Sequence, residues 1–346
     1  MEIETKNVTS QNRWLETYLA MDKGFLRVGD YDGDGDDELA ALWQWSSGRT
    51  NITSFNSTPG FGWKSTYRSN LSEKSYWLDN AVLNNQGFVL SGDYNGDAQD
   101  ELAVLWQTPQ PESSERNPQT HITIFDAPVD FQWSETNHEV GLANFLEAYV
   151  RNGKGFVRTG DFDGDGKDEI GVLWQDGDGW TNITLLDMVN DQAWDPIDAP
   201  NVLNASVGET EWLDSKVRNG QGYVLVGDHN GNGTDAFIVL SKTEDEMMEI
   251  TLFENPGGAG WDISTTAEHA AKLSWNDIGL LSVIDIDNDN RAEVVSVFEN
   301  ESKVNIQSWD WRGPDGHAGI DEGQVGNTAI LSGAYLAISQ RRVGPQ

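Results

Sequence analysis

The stretch Asp30-Tyr-Asp-Gly-Asp-Gly-Asp-Asp-Glu38 is the most informative part of this 346-residue chain, because it recurs. Related stretches begin at Asp93, Asp161, Asp228 and Asp285, so one unit repeats every 57–68 residues. Side chains that carry oxygen stand at positions 1, 3, 5 and 9 of the stretch, and such ligands suit a hard cation such as Ca²⁺. The pattern predicts a repeat architecture with one cation-binding loop in each copy.

Each acidic loop lies between two short apolar runs, which are residues 25–29 and 39–44 in the first copy. These runs are apolar on both faces, which is typical of strands buried between two layers. The next run, residues 51–55, alternates with a period of two. In four copies a Trp follows eight residues after the end of this run, and we expect the fourth strand to begin there.

A short shared segment leads from one copy into the next. It reads Trp77-Leu-Asp, Phe145-Leu-Glu and Trp212-Leu-Asp, and no helical pattern with capping residues competes with the strands. Each copy is therefore a four-stranded unit, and such units repeated around an axis form a β-propeller. The sequence predicts an all-β fold, a β-propeller of four-stranded blades, as a single domain over residues 1–346.

The two ends of the chain bear on the number of blades. Residues 1–9 resemble a third strand, and residues 329–339 resemble the first two strands with the acidic loop deleted. We therefore expect six blades, of which five carry the loop and the sixth is closed by both termini. Ring closure would remove exposed strand edges, which invite aggregation. Five blades with a tail and seven blades are the alternatives.

The loop differs from an EF-hand, because its closing acid stands at position 9 rather than 12 and a strand follows it. The five copies resemble FG-GAP repeats, the repeat type of the integrin α-subunit propeller, in their apolar run, glycine and acidic loop. Integrin-like propeller lectins of fungi and bacteria share the loop. The resemblance covers nearly the whole chain, and it implies a propeller that depends on Ca²⁺.

The candidate metal ligands occupy loop positions 1, 3, 5, 7 and 9, of which position 7 offers its backbone carbonyl. In chain order they are Asp30, Asp32, Asp34, Asp36, Glu38, Asp93, Asn95, Asp97, Gln99, Glu101, Asp161, Asp163, Asp165, Lys167, Glu169, Asp228, Asn230, Asn232, Thr234, Asp285, Asp287, Asp289, Arg291 and Glu293. We expect about four to five Ca²⁺ ions with a mainly structural role.

The copies differ in how complete their ligand sets are. The fourth loop should be weak or empty, because Asn232 replaces an acid and Ala236 removes the last ligand. Loops one, three and five should bind best. Loop two should bind somewhat less well, because Ala98 replaces a glycine that permits a positive φ angle.

The formal net charge of −35 disfavours nucleic acid and anionic membranes as partners, since both require Lys or Arg to neutralise phosphate. Five Ca²⁺ ions would leave about −25, so the surface should remain acidic. No apolar run approaches the roughly 18 residues of a membrane span, so we expect no membrane insertion. The first residues lack the apolar region of a signal peptide, yet an extracellular or cell-surface location suits this type of repeat.

Signals of catalysis are few. The chain has no Cys, no Gly-x-Ser-x-Gly elbow and no phosphate-binding loop, and its five His share no spacing. Carboxylate pairs of the kind used by glycosidases are abundant, but most of the acids belong to the metal loops. We therefore expect a non-enzymatic recognition module.

Carbohydrate is the favoured ligand, which would make the protein a lectin. Sugars stack on Trp rings and bond to Asn, Asp and Gln, and repeated pockets would add avidity. The candidate ligand-binding residues are Trp63, Trp133, Trp194 and Trp261. A Trp at a fixed repeat position also suits packing between blades.

Other Trp residues are sorted by their place in the repeat. Trp43, Trp106 and Trp174 end buried strands and are expected to be structural, whereas Trp45 and Trp180 fall in variable loops. Two further functions are alternatives, of which the resemblance supports the first as well as it supports the lectin. One is a protein-binding adhesion propeller of integrin type with a cell-surface protein as partner, and the other is a binding domain of a secreted toxin or adhesin.

Overall fold

The computed structural model describes residues 19, 24–58, 62–69, 77–83, 86–108, 118–127, 133–190, 193–199, 211–243, 248–255, 261–267, 278–285, 290–300, 303–310 and 319–327. Within these ranges, the strands form five four-stranded sheets, and in each sheet neighbouring strands are consecutive in the chain. The expected all-β fold and the four-stranded unit are therefore confirmed. The predicted sixth blade rests on residues 1–9 and 329–339, which lie outside the described residues, so the blade number remains a prediction.

The strands follow the order expected from the repeat, with the acidic loop between the first and second strand of each sheet. The first two sheets contain β1 (Gly24–Gly29), β2 (Glu38–Gln44), β3 (Thr50–Thr58), β4 (Gly62–Ser69), β5 (Phe88–Gly92), β6 (Glu101–Gln107), β7 (Thr120–Asp126) and β8 (Ser134–Glu139). The third contains β9 (Phe156–Gly160), β10 (Glu169–Gln175), β11 (Thr181–Asn190) and β12 (Ala193–Ala199). The last two contain β13 (Gly222–Gly227), β14 (Ala236–Lys242), β15 (Met248–Glu254), β16 (Asp262–Ala267), β17 (Ile278–Ile284), β18 (Glu293–Asn300), β19 (Lys303–Asp310) and β20 (Gly319–Asn327).

The second strand of a sheet is buried on both faces, as its sequence predicts. In β2, four consecutive residues from Ala40 to Trp43 are buried, although their side chains alternate between the two faces. The strand pairs with β1 on one side and β3 on the other, both antiparallel. Its Trp43 Nε1 donates a hydrogen bond to Thr53 Oγ1 at 3.0 Å. The same bond joins Trp106 to Thr123 and Trp174 to Thr184, which accords with the structural role expected for these three Trp.

The chain divides into two compact units, Met1–Asn152 with Leu186–Pro196 and Gly153–Leu185 with Ile197–Gln346. In the first unit, β1 lies beside β5, and aromatic residues such as Trp77, Trp106 and Phe125 form one core cluster. In the second unit, β13 lies beside both β9 and β17, and Trp212, Phe237 and Phe253 belong to the core. The expectation of a single domain stays a prediction.

The shared segments between copies are helical turns, although their sequence pattern does not predict a helix. They span Leu78–Val82, Leu146–Val150 and Trp212–Lys216. Each is five residues long, so the hydrophobic pattern has too few turns to register as a helix. The turns form because their apolar side chains, such as Leu78 and Val82, point into the core. Among the residues that the structure describes, none of the helical segments has the length and apolar character of a membrane span.

Candidate metal centres and recognition surface

The acidic loops share one backbone shape, which the first aspartate of each loop holds. In loop one, Asp30 Oδ1 accepts hydrogen bonds from the N–H groups of Gly33 and Asp34, at 2.8 and 3.1 Å. Its Oδ2 accepts from Gly35 N–H at 2.9 Å. Asp93, Asp161 and Asp228 make the same three bonds. The loops are therefore ordered by their own sequence, which prepares the remaining side chains to converge.

Position 6 of the loop requires a left-handed backbone. Gly35 has a φ of 86° there, and Gly166 has 88°. Ala98 and Asn290 occupy the same position in loops two and five, and both have a φ of 65°. Asn tolerates this conformation better than Ala, whose Cβ makes it strained by about 1 kcal/mol or more. The strain at Ala98 gives a physical reason for expecting a weaker second loop.

Three groups of carboxylates converge in the described residues, and they belong to loops one, two and three. Oxygen atoms of Asp161, Asp163, Asp165 and Glu169 lie within 4.8 Å of one another. The other two groups are Asp30, Asp32 and Glu38, and Asp93, Asp97 and Glu101. The structure thus brings together acids that the sequence separates by up to eight positions, in a geometry that can hold a cation.

The glutamate at position 9 is buried in all three groups. Oε2 of Glu38 accepts from the Tyr31 N–H at 3.1 Å, whereas its Oε1 has no hydrogen-bond donor within the described structure. Burial, and then the neighbouring charge of Asp32, raises the pKa of Glu38 to about 7. Burial likewise raises the pKa of Glu101 to about 9. A buried carboxylate oxygen that lacks a donor is costly, and a bound cation would remove that cost.

A polar residue near the end of the third strand also reaches the loop, although the ligand spacing of the loop does not include it. Asn56 Nδ2 donates to Asp32 Oδ2 at 2.9 Å. Asp126 holds the equivalent place beside loop two, where burial and then the charge of Asp97 raise its pKa. The only sequence signal is a polar residue directly after the third run in four of the five copies, at Asn56, Asp126, Asp187 and Glu254.

Loop four has a different interior, as its sequence suggests. Asn230 Nδ2 donates to Glu254 Oε1 at 2.9 Å, and His229 Nε2 lies 3.5 Å from the same oxygen. Ala236, in place of the closing glutamate, is buried in β14. In the fifth loop, Asp287 and Asp289 lie outside the described residues. The relative strength of the five sites therefore stays a prediction.

The four Trp predicted to bind ligand occupy the start of the fourth strand. Trp133 is 3% exposed, donates from Nε1 to Ser54 Oγ at 2.9 Å and lies 5.4 Å from the Tyr31 ring. Trp194 is 6% exposed and lies 5.5 Å from Tyr94. Both rings pack on the aromatic residue at position 2 of the acidic loop in the preceding copy, and they leave no open face for a sugar. The interpretation of Trp133 and Trp194 as sugar platforms is therefore corrected to one of packing between sheets.

The other two candidates differ from this pair. Trp261 is half-buried, 6.2 Å from Phe162 and 6.1 Å from Phe237. Trp63 lies in β4, and its side chain is outside the described part of the structure. The packing partner of each buried Trp comes from a loop far away in the sequence, so no local pattern distinguishes a packed Trp from an exposed one.

An exposed Trp stands instead on the hairpin that joins the second and third strands. Trp45 is 36% exposed and lies 5.4 Å from the buried Trp43 ring. The hairpin is closed by hydrogen bonds from Trp45 N–H to Arg49 O at 2.9 Å and from Gly48 N–H to Trp45 O at 2.8 Å. In the third sheet, Trp180 occupies the corresponding hairpin and is half-buried.

Amide and carboxylate groups lie at this same hairpin end of the sheets. Gln44 Nε2 donates to Asp79 Oδ2 at 2.5 Å, and Asp79 N–H donates to Gln44 Oε1 at 3.3 Å. Because the strands are antiparallel, the metal loop and the β3–β4 turn lie at the opposite end of the sheet. Each sheet thus has one end that carries the acidic loop, here called the acidic end, and an opposite hairpin end where its second and third strands join.

Comparisons with known proteins give structural neighbours at low similarity. No family model matches this chain, and no curated protein matches it. Among solved structures, AofleA from Arthrobotrys oligospora is 10% identical with a TM-score of 0.43, over 89% of this chain and 72% of that chain. An arginine-to-alanine triple mutant of AofleA is 12% identical to this chain with a TM-score of 0.44, at the same coverage. The SapL1 lectin in complex with alpha methyl fucoside is 10% identical with a TM-score of 0.37, over 83% of this chain and 76% of that chain. Scores at this level do not identify a family.

Proposed function

We propose that this chain is a non-enzymatic recognition module, with Ca²⁺ ions in its acidic loops and carbohydrate bound at the hairpin end of its sheets. The single observation that carries the calcium part is the buried Glu38 carboxylate, whose Oε1 lacks a hydrogen-bond donor in the described structure and faces other loop acids. Asp30, Asp32 and Glu38 would hold the ion in loop one. The ion would supply positive charge that lets these acids remain ionised while buried.

The proposal includes a propeller arrangement of FG-GAP type, with six blades and the sixth closed by both termini. It is supported within each unit by the first strands, since β1 lies beside β5 and β13 lies beside β9 and β17. First strands that adjoin one another are expected when sheets are arranged around an axis. A low-resolution scattering profile of the full chain would test the ring.

The carbohydrate part is supported by Trp45. Its ring is partly open to solvent on a hairpin held by two backbone hydrogen bonds. A rigid aromatic residue loses little conformational entropy on binding. The adjacent Gln44 and the exposed Asp79 offer hydrogen-bonding groups of the kind that recognise sugar hydroxyls. Trp63 and Trp261 remain further candidates.

A glycan array tests this function directly, run with millimolar Ca²⁺ and repeated in EDTA. We expect selective binding that is lost in EDTA. The variant Trp45→Ala should weaken binding by about tenfold, or about 1.4 kcal/mol. Ile284→Ala is the matched control, because Ile284 is also an exposed apolar residue but lies at the acidic end. Equal affinities of the two variants would remove Trp45 from the site.

A clean negative array on folded protein would favour the alternatives. These are a protein-binding adhesion propeller of integrin type and a binding domain of a secreted toxin or adhesin. An extracellular or cell-surface location is part of the proposal, because calcium is present there at about 2 mM. At that concentration, a site with a Kd of about 10⁻⁴ M would stabilise the folded state by about 1.8 kcal/mol through mass action.

A further inference from the structure

Consecutive acidic loops are joined by a pair of hydrogen bonds that the repeat pattern does not reveal. The N–H of Asp100, at position 8 of loop two, donates to the Asp30 carbonyl oxygen at 2.7 Å. In return, the Asp30 N–H donates to Asp100 Oδ2 at 3.1 Å. Asp100 therefore holds the backbone of the first residue of loop one through both its main chain and its side chain. We name this two-bond contact the aspartate clasp.

The second unit contains the same contact between loops three and four. The Asp235 N–H donates to Asp161 O at 2.7 Å, and the Asp161 N–H donates to Asp235 Oδ2 at 3.1 Å. Between loops four and five only half of it is present. Ala292 N–H donates to Asp228 O at 2.8 Å, but Ala292 has no carboxylate to return the bond.

A glycine in front of each clasped loop makes room for the clasp. A Cβ atom on Gly29 would overlap Asp100 Oδ2, and one on Gly160 would lie 2.5 Å from Asp235 Oδ2. Position 7 adds a second contact, since a Cβ atom on Gly33 would lie 2.7 Å from Gln99 Cγ. Neighbouring loops therefore touch through side chains as well as through the clasp.

The clasp connects a ligand of one predicted metal site to a ligand of the next. Asp30 is position 1 of loop one, and its carboxylate orders that loop. Asp100 directly precedes Glu101, the closing acid of loop two. An ion in loop two would order the segment that holds Asp30, so an ion in loop one would then have less disorder to remove. By linkage, the effect is reciprocal.

We propose that Asp100 and Asp235 are positioning residues that couple the cation sites of consecutive loops, so that Ca²⁺ binds cooperatively to loops one and two. The inference rests on the proposed binding of Ca²⁺. It assigns position 8 a role of its own, separate from the ligands at positions 1, 3, 5 and 9. Since the clasp consists of polar main-chain and carboxylate groups, its loss should weaken ion binding more than it disturbs the packing of the core.

Two backbone amides allow each site to be followed separately by NMR in the full chain. The Gly35 N–H donates to Asp30 in loop one, and the Ala98 N–H donates to Asp93 in loop two. During a titration with CaCl2 after chelation, both signals should move at the same free-calcium concentration in the unmodified protein. In Asp100→Ala, the Gly35 signal should move at about tenfold higher calcium. Asp100→Asn should behave like the unmodified protein, because its Oδ1 still accepts a bond from Asp30.

The controls separate the possible failures. Calcium-dependent shifts that are unchanged in Asp100→Ala would overturn the coupling and leave the proposed function intact. Asp100→Asn behaving like Asp100→Ala would also overturn it, because charge rather than the hydrogen bond would then be responsible. No shift with calcium in the unmodified protein would overturn the proposed calcium binding and the coupling together.

The fourth and fifth loops offer a test that adds a clasp instead of removing one. Ala292→Asp supplies the missing carboxylate opposite the Asp228 N–H. The Gly233 amide, which donates to Asp228 Oδ2 at 2.8 Å, reports on loop four. Its signal should respond to calcium at a concentration about tenfold lower than in the unmodified protein. An unchanged response in this variant would count against the clasp even where Asp100→Ala does not fold.

Discussion

Gly29 has no room for a side chain, because a Cβ atom there would overlap the Asp100 carboxylate. We predict that Gly29→Ala lowers the free energy of unfolding by about 1–3 kcal/mol, the usual cost of an overpacked site. Thermal unfolding of the full chain measures the loss. Gly177→Ala is the matched control, since a Cβ atom on Gly177 meets no atom within 4 Å. Equal melting temperatures for the two variants would contradict the close contact.

Glu38 should respond to substitution with opposite signs in the presence and absence of calcium. Burial raises the pKa of Glu38 to about 7, so without an ion its charge destabilises the native state as the pH rises through that value. At pH 8 in EDTA, Glu38→Gln should therefore raise the melting temperature. In the presence of calcium, the same substitution should lower the melting temperature, because the amide cannot supply the negative charge that the ion attracts.

Each of these two effects should be on the order of 1 kcal/mol. Melting curves at pH 8, in EDTA and in millimolar calcium, measure both. Glu139→Gln is the control, since Glu139 is exposed on β8 and its substitution should leave the melting temperature unchanged in either buffer. A shift of the same sign in both buffers would show that Glu38 is not a cation ligand.

Only some of the loop residues could be assigned from the sequence. In three of the five loops, three or four of the acids at positions 1, 3, 5 and 9 converge, because the ligands are local and the loop is short. The role of Asp100 could not be predicted, because the Asp30 carbonyl and N–H groups that it bonds to belong to another copy of the repeat. Trp133 was misassigned for the same reason, since its contacts with Tyr31 and Ser54 join separate copies of the repeat.

Among the secondary-structure elements, the end of the second strand and the following helical turn depend on each other. Gln175 Nε2 donates to Asp214 Oδ2 at 3.0 Å, and the Asp214 N–H donates to Gln175 Oε1 at 3.4 Å. Gln44 makes the same pair of bonds with Asp79. The Trp-Gln ending of the first three copies is therefore explained by a polar contact with the turn that precedes the next sheet.

We predict that Gln175→Ala lowers the free energy of unfolding by about 1 kcal/mol, because the Asp214 N–H loses its acceptor. Urea unfolding followed by tryptophan fluorescence provides the measurement. Gln221→Ala is the control, because Gln221 is exposed. A loss no larger than that of the control would mean that the contact with Asp214 contributes nothing to stability.

Strands and turns were predictable to different extents. Strands such as β2 were found because their apolar runs are bounded by the acidic loop on one side and a hairpin on the other. The helical turns were not found, because a segment such as Leu78–Val82 completes little more than one turn. Their formation depends on burial against neighbouring strands, which a local pattern does not contain.

For the protein as a whole, calcium removal should be the most damaging change of condition. The net charge of −35 is repulsive, and three described loops each bury a glutamate beside other acids. We predict that EDTA lowers the melting temperature strongly, since several sites of about 1.8 kcal/mol each are a large part of a marginal stability. Differential scanning calorimetry measures this, and excess Ca²⁺ over EDTA should restore the original value. An unchanged melt would reject a stabilising role for calcium.

The clasp gives the repeat a direction. Within each unit, the aspartate at position 8 of the later loop bonds back to the first residue of the earlier loop, so the two copies of a pair contact each other in one fixed order. The fifth copy has Ile284 where the others have glycine and Ala292 where they have aspartate. The fifth copy therefore returns only the backbone hydrogen bond to loop four, and the order set by the clasp ends there without its carboxylate half.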